Sequence, residues 1–372
     1  MGNEPQAPLN TGRIYRYDNI RALCIFFIVL ATFYFARPSI KFAAYNWIGS
    51  HRAIAAAIAM AMMFTLTLFA FVSGCLAARH ERERAGFLKR FIGIVLLFLL
   101  AVTVTTLSEP PPEGEWITIA ETHYLGFLAI AMFLEQCLQR LAPKWALLVV
   151  FVSCLLLTYA GFTNAILGKS VYMLPVYFFG RLCTQSAVFR RITQKPLWWA
   201  GIAALGVLYT IVFLLPQQLR TGLLILGETN LLVAGNHTWF VPVGRLAAYG
   251  IAGILSAAVF FAVPNRRIPG ISAIGGKTLQ IYVFAYPLAH VWARLHPQSL
   301  SFLMEYEIGG LPLLIPPFCA AVIWLLSRKW VGVPLLPVLK AADWLSEQTE
   351  RLLASFEKKS PAANPKNSRK RS

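Results

Sequence analysis

The sequence predicts an all-α polytopic membrane protein with about ten transmembrane helices, both termini cytoplasmic, a C-terminal amphipathic helix and a basic tail. Three observations predict it. The chain of 372 residues is 57% hydrophobic and 13% charged, whereas a soluble domain carries about 25% charged residues. Apolar stretches of roughly 20 residues recur along it, each long enough to cross a hydrocarbon core of ~30 Å. Its Lys and Arg residues gather in alternate connecting segments, the asymmetry that orients membrane helices.

The polar segment 1–18 comes first, on the cytoplasmic side. The apolar run after it lacks a small-residue cleavage site, so it reads as a retained first span rather than a cleaved signal. The ten-span domain covers 19–330, with spans near 19–36, 54–77, 91–107, 122–138, 145–161, 171–187, 197–215, 239–263, 272–293 and 308–327. Placing the N-terminus inside puts the cations of successive inner segments on one face. They include Arg13, Arg16 and Arg21, then Arg79, Arg82, Arg84, Lys89 and Arg90, and later Arg181, Arg190, Arg191, Arg266, Arg267 and Lys277. The outer segments hold Arg37, Lys41, Arg52, Lys169, Arg220 and Arg294, and Arg245 lies within a span. The net charge of +18 therefore marks a membrane face, and no nucleic-acid partner is expected.

Two outer segments stand apart. SEPPPEGEW at 108–116 is an acidic, proline-rich extended loop, and 216–238 has an apolar middle suited to lying along the membrane or dipping into it. After the last span, 331–357 reads as an interfacial helix. Val338, Ala341, Ala342, Leu345, Leu352, Leu353 and Phe356 recur at helical spacing opposite Lys340, Asp343, Glu347, Glu350 and Arg351. Residues 358–372 form a disordered basic tail suited to anionic membrane lipid. The six cysteines fall in or beside apolar runs and read as packing residues, with no disulfide or zinc-site spacing.

Polar groups in or at the ends of spans are costly, so they are the functional candidates. YDNIRALCIFFIVLATFYF places Asp18, Asn19 and Arg21 at the inner mouth of the first span. They fit an interfacial anchor, or a cytosolic site in which arginines hold phosphates. Ser73-Gly74 suits close helix packing or a bend. In LPVYFFGRLC, Pro175 and Gly180 can break the helix that Arg181 closes. GGKTLQIYVFAYPLAHVWARLHP sets Lys277, Tyr282, Tyr286 and His290 in a run polar enough to face a cavity. Of six histidines, His51, His123, His237, His290 and His296 fall toward the outer face and only His80 inside. That favours proton transfer on the outer side, with Glu121, Glu228, Glu305 and Glu307 as candidate partners. No metal-binding spacing is present.

Several of these stretches together resemble the integral-membrane acyltransferase-3 family, and within it the fucose 4-O-acetylase-like branch. RYDNIRALCIFFIVL, FAFVSGCLAAR with FLKRF, YLGFLAIAMFLEQCL, YMLPVYFFGRLC and GGKTLQIYVFAYPL are similar, in order, to its segments over residues 13–330. The resemblance implies a bacterial inner-membrane enzyme that moves an acyl group from cytosolic acyl-CoA to a carbohydrate hydroxyl on the outer face. Acetyl-CoA would be a co-substrate, with no permanently bound cofactor. It assigns donor and substrate binding to Asp18, Asn19, Arg21, Arg90, Arg181 and Lys277. The family's two histidines are replaced here by Thr32 and Ala285. Threonine has no pKa near 7 to serve as the base, a role worth about 10²–10⁴ in rate. Catalysis would then fall to His290, with Tyr282 and Thr32 beside it. The alternatives are a non-catalytic relative that binds lipid or glycan, and a transporter, for which no internal repeat speaks.

Overall fold

The computed structural model describes residues 14–34, 52–78, 84–108, 123–160, 165–195, 197–220, 240–295 and 315–359. Among them the chain is helical throughout. The helices are α1 (Tyr15–Tyr34), α2 (Arg52–Ala77), α3 (Arg84–Ser108), α4 (His123–Cys137), α5 (Pro143–Ala160), α6 (Ala165–Gln185) and α7 (Ala187–Gln194). They continue as α8 (Trp198–Leu214), α9 (Phe240–Ala262), α10 (Ile271–Gly275), α11 (Thr278–Leu295) and α12 (Ile315–Leu326). A 3₁₀ turn at Lys329–Leu335 then leads into α13 (Leu336–Lys359).

A helix lies in each predicted apolar segment, but not every one is long and apolar enough to cross a membrane. Arg52–Ala77, Phe87–Leu107 and Val243–Ala262 are, and the total reaches five when the bent pairs Ala187–Gln194 with Trp198–Leu214 and Ile315–Leu326 with Lys329–Leu352 each count as one span. The apolar parts of α4 and α5, Tyr124–Cys137 and Pro143–Leu157, are shorter. α1 carries Arg16, Asp18 and Arg21 in its first two turns, which dilutes its apolar character. Helix α6 runs unbroken through Pro175. The predicted ninth span instead divides at Gly276-Lys277 into α10 and α11.

α2 is apolar all round because it is central, packed by α1, α6 and α9. The periphery is apolar for another reason. On α8, Trp198, Trp199, Ile202, Val207, Ile211 and Leu214 are all exposed, a patch far larger than a soluble monomer tolerates. Lipid would cover it. Between such helices apolar burial gives little net drive, and association rests on close packing and hydrogen bonds.

The α2–α6 crossing shows this. A Cβ on Gly74 would stand 1.9 Å from the Tyr177 carbonyl oxygen, and one on Gly180 2.2 Å from that of Phe71. Only glycine permits this backbone approach, as the Ser73-Gly74 pair leads one to expect. The Cys75 thiol donates to the Gly180 carbonyl at 3.3 Å across the same contact. A Cβ on Gly275 would meet the Asp18 carbonyl oxygen at 1.9 Å, so α10 lies equally close on α1.

α13 departs from the predicted single apolar face. Val338 and Ala342 turn inward, where Ala342 lies beside Gly93 of α3 and Asp343 pairs with Lys89 at 2.9 Å. Leu336, Leu339, Trp344 and Leu352 stay exposed. The helix therefore has two apolar sides, one for α3 and one left for lipid. Residues 109–122, 221–239 and 360–372, which hold most of the two predicted outer loops and of the predicted basic tail, lie outside the described residues.

Candidate functional site

At one end of the bundle a cavity of about 2470 Å³ opens between the N-terminal turns of α1, α3 and α5 and the C-terminal turns of α2, α4 and α6. These are the ends that the charge pattern assigns to the cytoplasm. Arg16, Arg21, Lys89, Arg90, Arg140, Arg181 and Arg190 line it, against the acids Asp18, Glu135 and Asp343. Seven cations facing three anions make it a receptor for negatively charged groups. Four of the sequence-predicted donor residues, Asp18, Arg21, Arg90 and Arg181, meet here although the chain separates them widely.

The inner mouth of α1 is rigid for a definite reason. Arg16 is 3% exposed. It donates from Nε to the Val263 carbonyl at 3.0 Å and from Nη1 to that of Thr193 at 3.0 Å, and its backbone N–H donates to Asn265 Oδ1 at 3.1 Å. Its guanidinium also lies 5.3 Å from the Phe260 ring centre. Burial lowers its pKa from the ordinary value, and the carbonyl acceptors and aromatic face compensate the charge that remains. Asn19 is buried with its whole amide engaged. Nδ2 donates to the carbonyls of Pro264 at 3.1 Å and Arg266 at 3.0 Å, while Oδ1 accepts from Ser272 Oγ at 2.6 Å. Asn19 thus clamps the turn between α9 and α10. Arg21 Nη2 donates to Thr278 Oγ1 at 2.5 Å, tying α1 to the start of α11 while Arg21 still faces the cavity.

Lys277 is engaged elsewhere. Its ammonium donates to the Ser327 carbonyl, and Gln280 Nε2 donates to the carbonyls of Leu326 at 2.6 Å and Arg328 at 2.9 Å. Both hold the end of α12 against the start of α11, satisfying carbonyls that a helix terminus leaves open.

Glu135 is the group that the sequence reading missed. It is 8% exposed, accepts from the Tyr177 hydroxyl at 2.6 Å and pairs with Arg181 at 3.5 Å. One acid within the apolar run YLGFLAIAMFLEQCL was the available signal, since an ionisable residue in a span is a functional candidate by default.

The cavity floor is Ser73 and Tyr124. Ser73 Oγ donates to the Phe69 carbonyl at 2.9 Å and lies 2.7 Å from the Tyr124 hydroxyl, which therefore supplies the proton between them. The Tyr124 ring stacks on Phe69 at 4.5 Å. Behind the floor, the backbone N–H of Tyr124 donates to the Tyr282 hydroxyl at 3.2 Å, with the two rings edge to face at 5.7 Å.

The other predicted catalytic positions lie away from the cavity lining. His290 is 6% exposed with its ring 4.1 Å from that of Tyr286, and it stands about 18 Å along α11 from Thr278 at 1.5 Å per residue. Thr32 is buried, its hydroxyl donating to the Ile28 carbonyl at 2.8 Å. Ala285 is buried too. Glu121, Glu228, Glu305, Glu307, His51, His80, His237 and His296 lie outside the described residues. Among the described residues no group of three His, Cys, Asp or Glu could hold a metal ion.

No protein family, no curated protein and no solved structure matches this chain.

Proposed function

We propose that this chain is a ten-span O-acyltransferase of a bacterial inner membrane, with both termini cytoplasmic. It takes an acyl group, acetyl in the simplest case, from cytosolic acyl-CoA and delivers it to a hydroxyl of a periplasmic or cell-surface carbohydrate. The observation that carries the reading is the basic cavity, where Arg21, Arg90 and Arg181 converge. Arginine forks bind phosphate oxygens bidentately, and acyl-CoA is a polyanion that presents its thioester on a neutral arm. His290, buried beyond the floor, serves as the base on the acceptor side.

The test uses purified protein in nanodiscs with labelled acetyl-CoA, read as thioester hydrolysis and transfer to glycans. Replacing Arg21 and Arg90 by alanine weakens acetyl-CoA binding by about tenfold or more, since a hydrogen bond to a charged group contributes about 1.5–3 kcal/mol. His290→Ala abolishes turnover and leaves binding intact. Acetyl-CoA binding without turnover, unaltered by His290→Ala, sinks the enzymatic reading.

One observation favours a second reading, a relative that binds these ligands without catalysis. The Thr32 hydroxyl is occupied by its own helix and Ala285 offers no polar atom. Installing Thr32→His with Ala285→His separates the two. Activity gained in the double variant, and absent before, assigns the wild type to the second reading.

A further inference from the structure

Arg245 is the single charged residue of α9, and it lies far from the cavity. Phe260, which lines the cavity, stands four turns farther along the helix, about 22 Å away at 1.5 Å per residue. Arg245 is 2% exposed. Its guanidinium lies 5.4 Å from the centre of the Tyr172 ring, and that ring is stacked on Tyr249 at 4.9 Å with 2° between the planes. The Tyr249 hydroxyl donates to the Tyr172 carbonyl at 2.9 Å and also neighbours Arg245, as does the Cys154 thiol. Every one of these neighbours is neutral at ordinary pH. The Nε and Nη1 atoms of Arg245 are buried with no hydrogen-bond partner.

The other buried arginines define what is unusual. Arg16 has carbonyl acceptors on both Nε and Nη1, Arg220 donates from Nη1 to the carbonyls of Phe213 and Leu215, and Arg181 has Glu135. Nε of Arg181 and of Arg220 has no hydrogen-bond partner among the described residues, but only Arg245 among them has neither a carbonyl nor a carboxylate. A guanidinium carries five donors, and an unpaired cation at membrane depth is retained only where something else compensates it. A cation–π contact supplies part of that. What remains unfilled is two N–H donors on different edges of the planar guanidinium, each able to meet an anionic oxygen with a charge-assisted hydrogen bond.

We propose that Arg245 anchors a second binding site, in the half of the bundle remote from the cavity, for a single anionic group: a phosphate or a carboxylate. Tyr172 and Tyr249 form its aromatic wall. Exclusion of water strengthens the charge interaction. The anion has two chemical sources, a membrane-lipid headgroup or an acidic sugar from solution. The proposal does not rest on the acyl-transfer reading.

The experiment uses the full chain in phosphatidylcholine nanodiscs, read by thermal midpoint and by native mass spectrometry. The soluble probes are inorganic phosphate, glucose 1-phosphate, glucuronate and, as the neutral control, glucose. The lipid probe is phosphatidylglycerol mixed into the disc. A soluble source predicts stabilisation by glucose 1-phosphate or glucuronate and none by glucose; a lipid source predicts retention of phosphatidylglycerol over phosphatidylcholine. Arg245→Met lowers the affinity by about tenfold or more, in line with the loss of charge-assisted hydrogen bonds, and Arg245→Lys keeps a weak part of it, having the charge without the planar set of five donors. The proposal is overturned when no anionic probe prefers wild type over Arg245→Met. It is also overturned when Glu228→Gln destabilises wild type but not Arg245→Met, which makes Glu228, in the segment before α9, the internal partner. Should Arg245→Met not fold, glucose 1-phosphate against glucose on wild type and Arg245→Lys decides the matter.

Discussion

The buried cations at the cavity end and Arg245 in the remote half of the bundle are treated in opposite ways. At the cavity end each is answered from within: the carbonyls of Val263 and Thr193 for Arg16, Thr278 for Arg21 and Glu135 for Arg181. Toward the other end Arg245 faces, among the described residues, aromatic rings, a hydroxyl and a thiol. The first arrangement fixes the shape of a cavity whose surplus positive charge is turned toward a ligand. The second leaves donors unfilled in a place that water reaches poorly. A wall whose buried cations have carbonyl or carboxylate partners tolerates an empty site, whereas a buried cation with neither draws its partner from outside.

The contrast breaks most sharply at the α2–α6 crossing. Gly74→Ala drives a methyl group into the Tyr177 carbonyl, and backbone cannot yield as a flexible side chain does. A loss of about 3 kcal/mol is expected, at the upper end for overpacking, read as a lower thermal midpoint in detergent. Asn19→Ala comes next. It strands the carbonyls of Pro264 and Arg266 together with Ser272, and at about 1–3 kcal/mol for an unsatisfied buried group should cost roughly 2–3 kcal/mol. Limited proteolysis within 263–270 should detect the freed turn.

Glu135→Gln sharpens the comparison by making the cavity end resemble the other one. The amide keeps an acceptor for Tyr177 but no charge for Arg181, so stability falls by about 1–2 kcal/mol, part of the cost of leaving a buried charge unpaired. Anionic ligands of the cavity should bind several-fold more tightly by isothermal titration. The smallest effect is that of Lys89→Ala. Its pair with Asp343 is 59% and 47% exposed, and exposed ion pairs contribute about 0–1 kcal/mol. A shift below ~0.5 kcal/mol is expected, so a large one would show that α13 depends on this contact.

Some of this was legible residue by residue. Ser73-Gly74 signalled a close crossing or a bend, because glycine beside a small residue in an apolar run has few other uses. Arg21, Arg90 and Arg181 fall on one face by sidedness, together with the other inner cations. Asn19 and Lys277 looked the same in the sequence, as polar groups at span ends, yet each is bound to backbone carbonyls. Their partners lie about 50 to 250 positions away in the chain, beyond what local pattern reports. Glu135 carried a signal, an acid in a span, but its meaning needed Tyr177 and Arg181 from another helix.

The sequence by itself determined that the chain is helical and apolar, and which helix ends carry the cations. Those properties depend on composition and on spacing within a turn or two. Only the tertiary structure decided which polar groups are spent on the scaffold and which remain open. That depends on whether a donor finds an acceptor on another element, a matter of three-dimensional approach within about 3 Å that no one-dimensional pattern encodes. Arg16 and Arg245 are each an arginine in an apolar helix, and the fold satisfies one and leaves the other waiting.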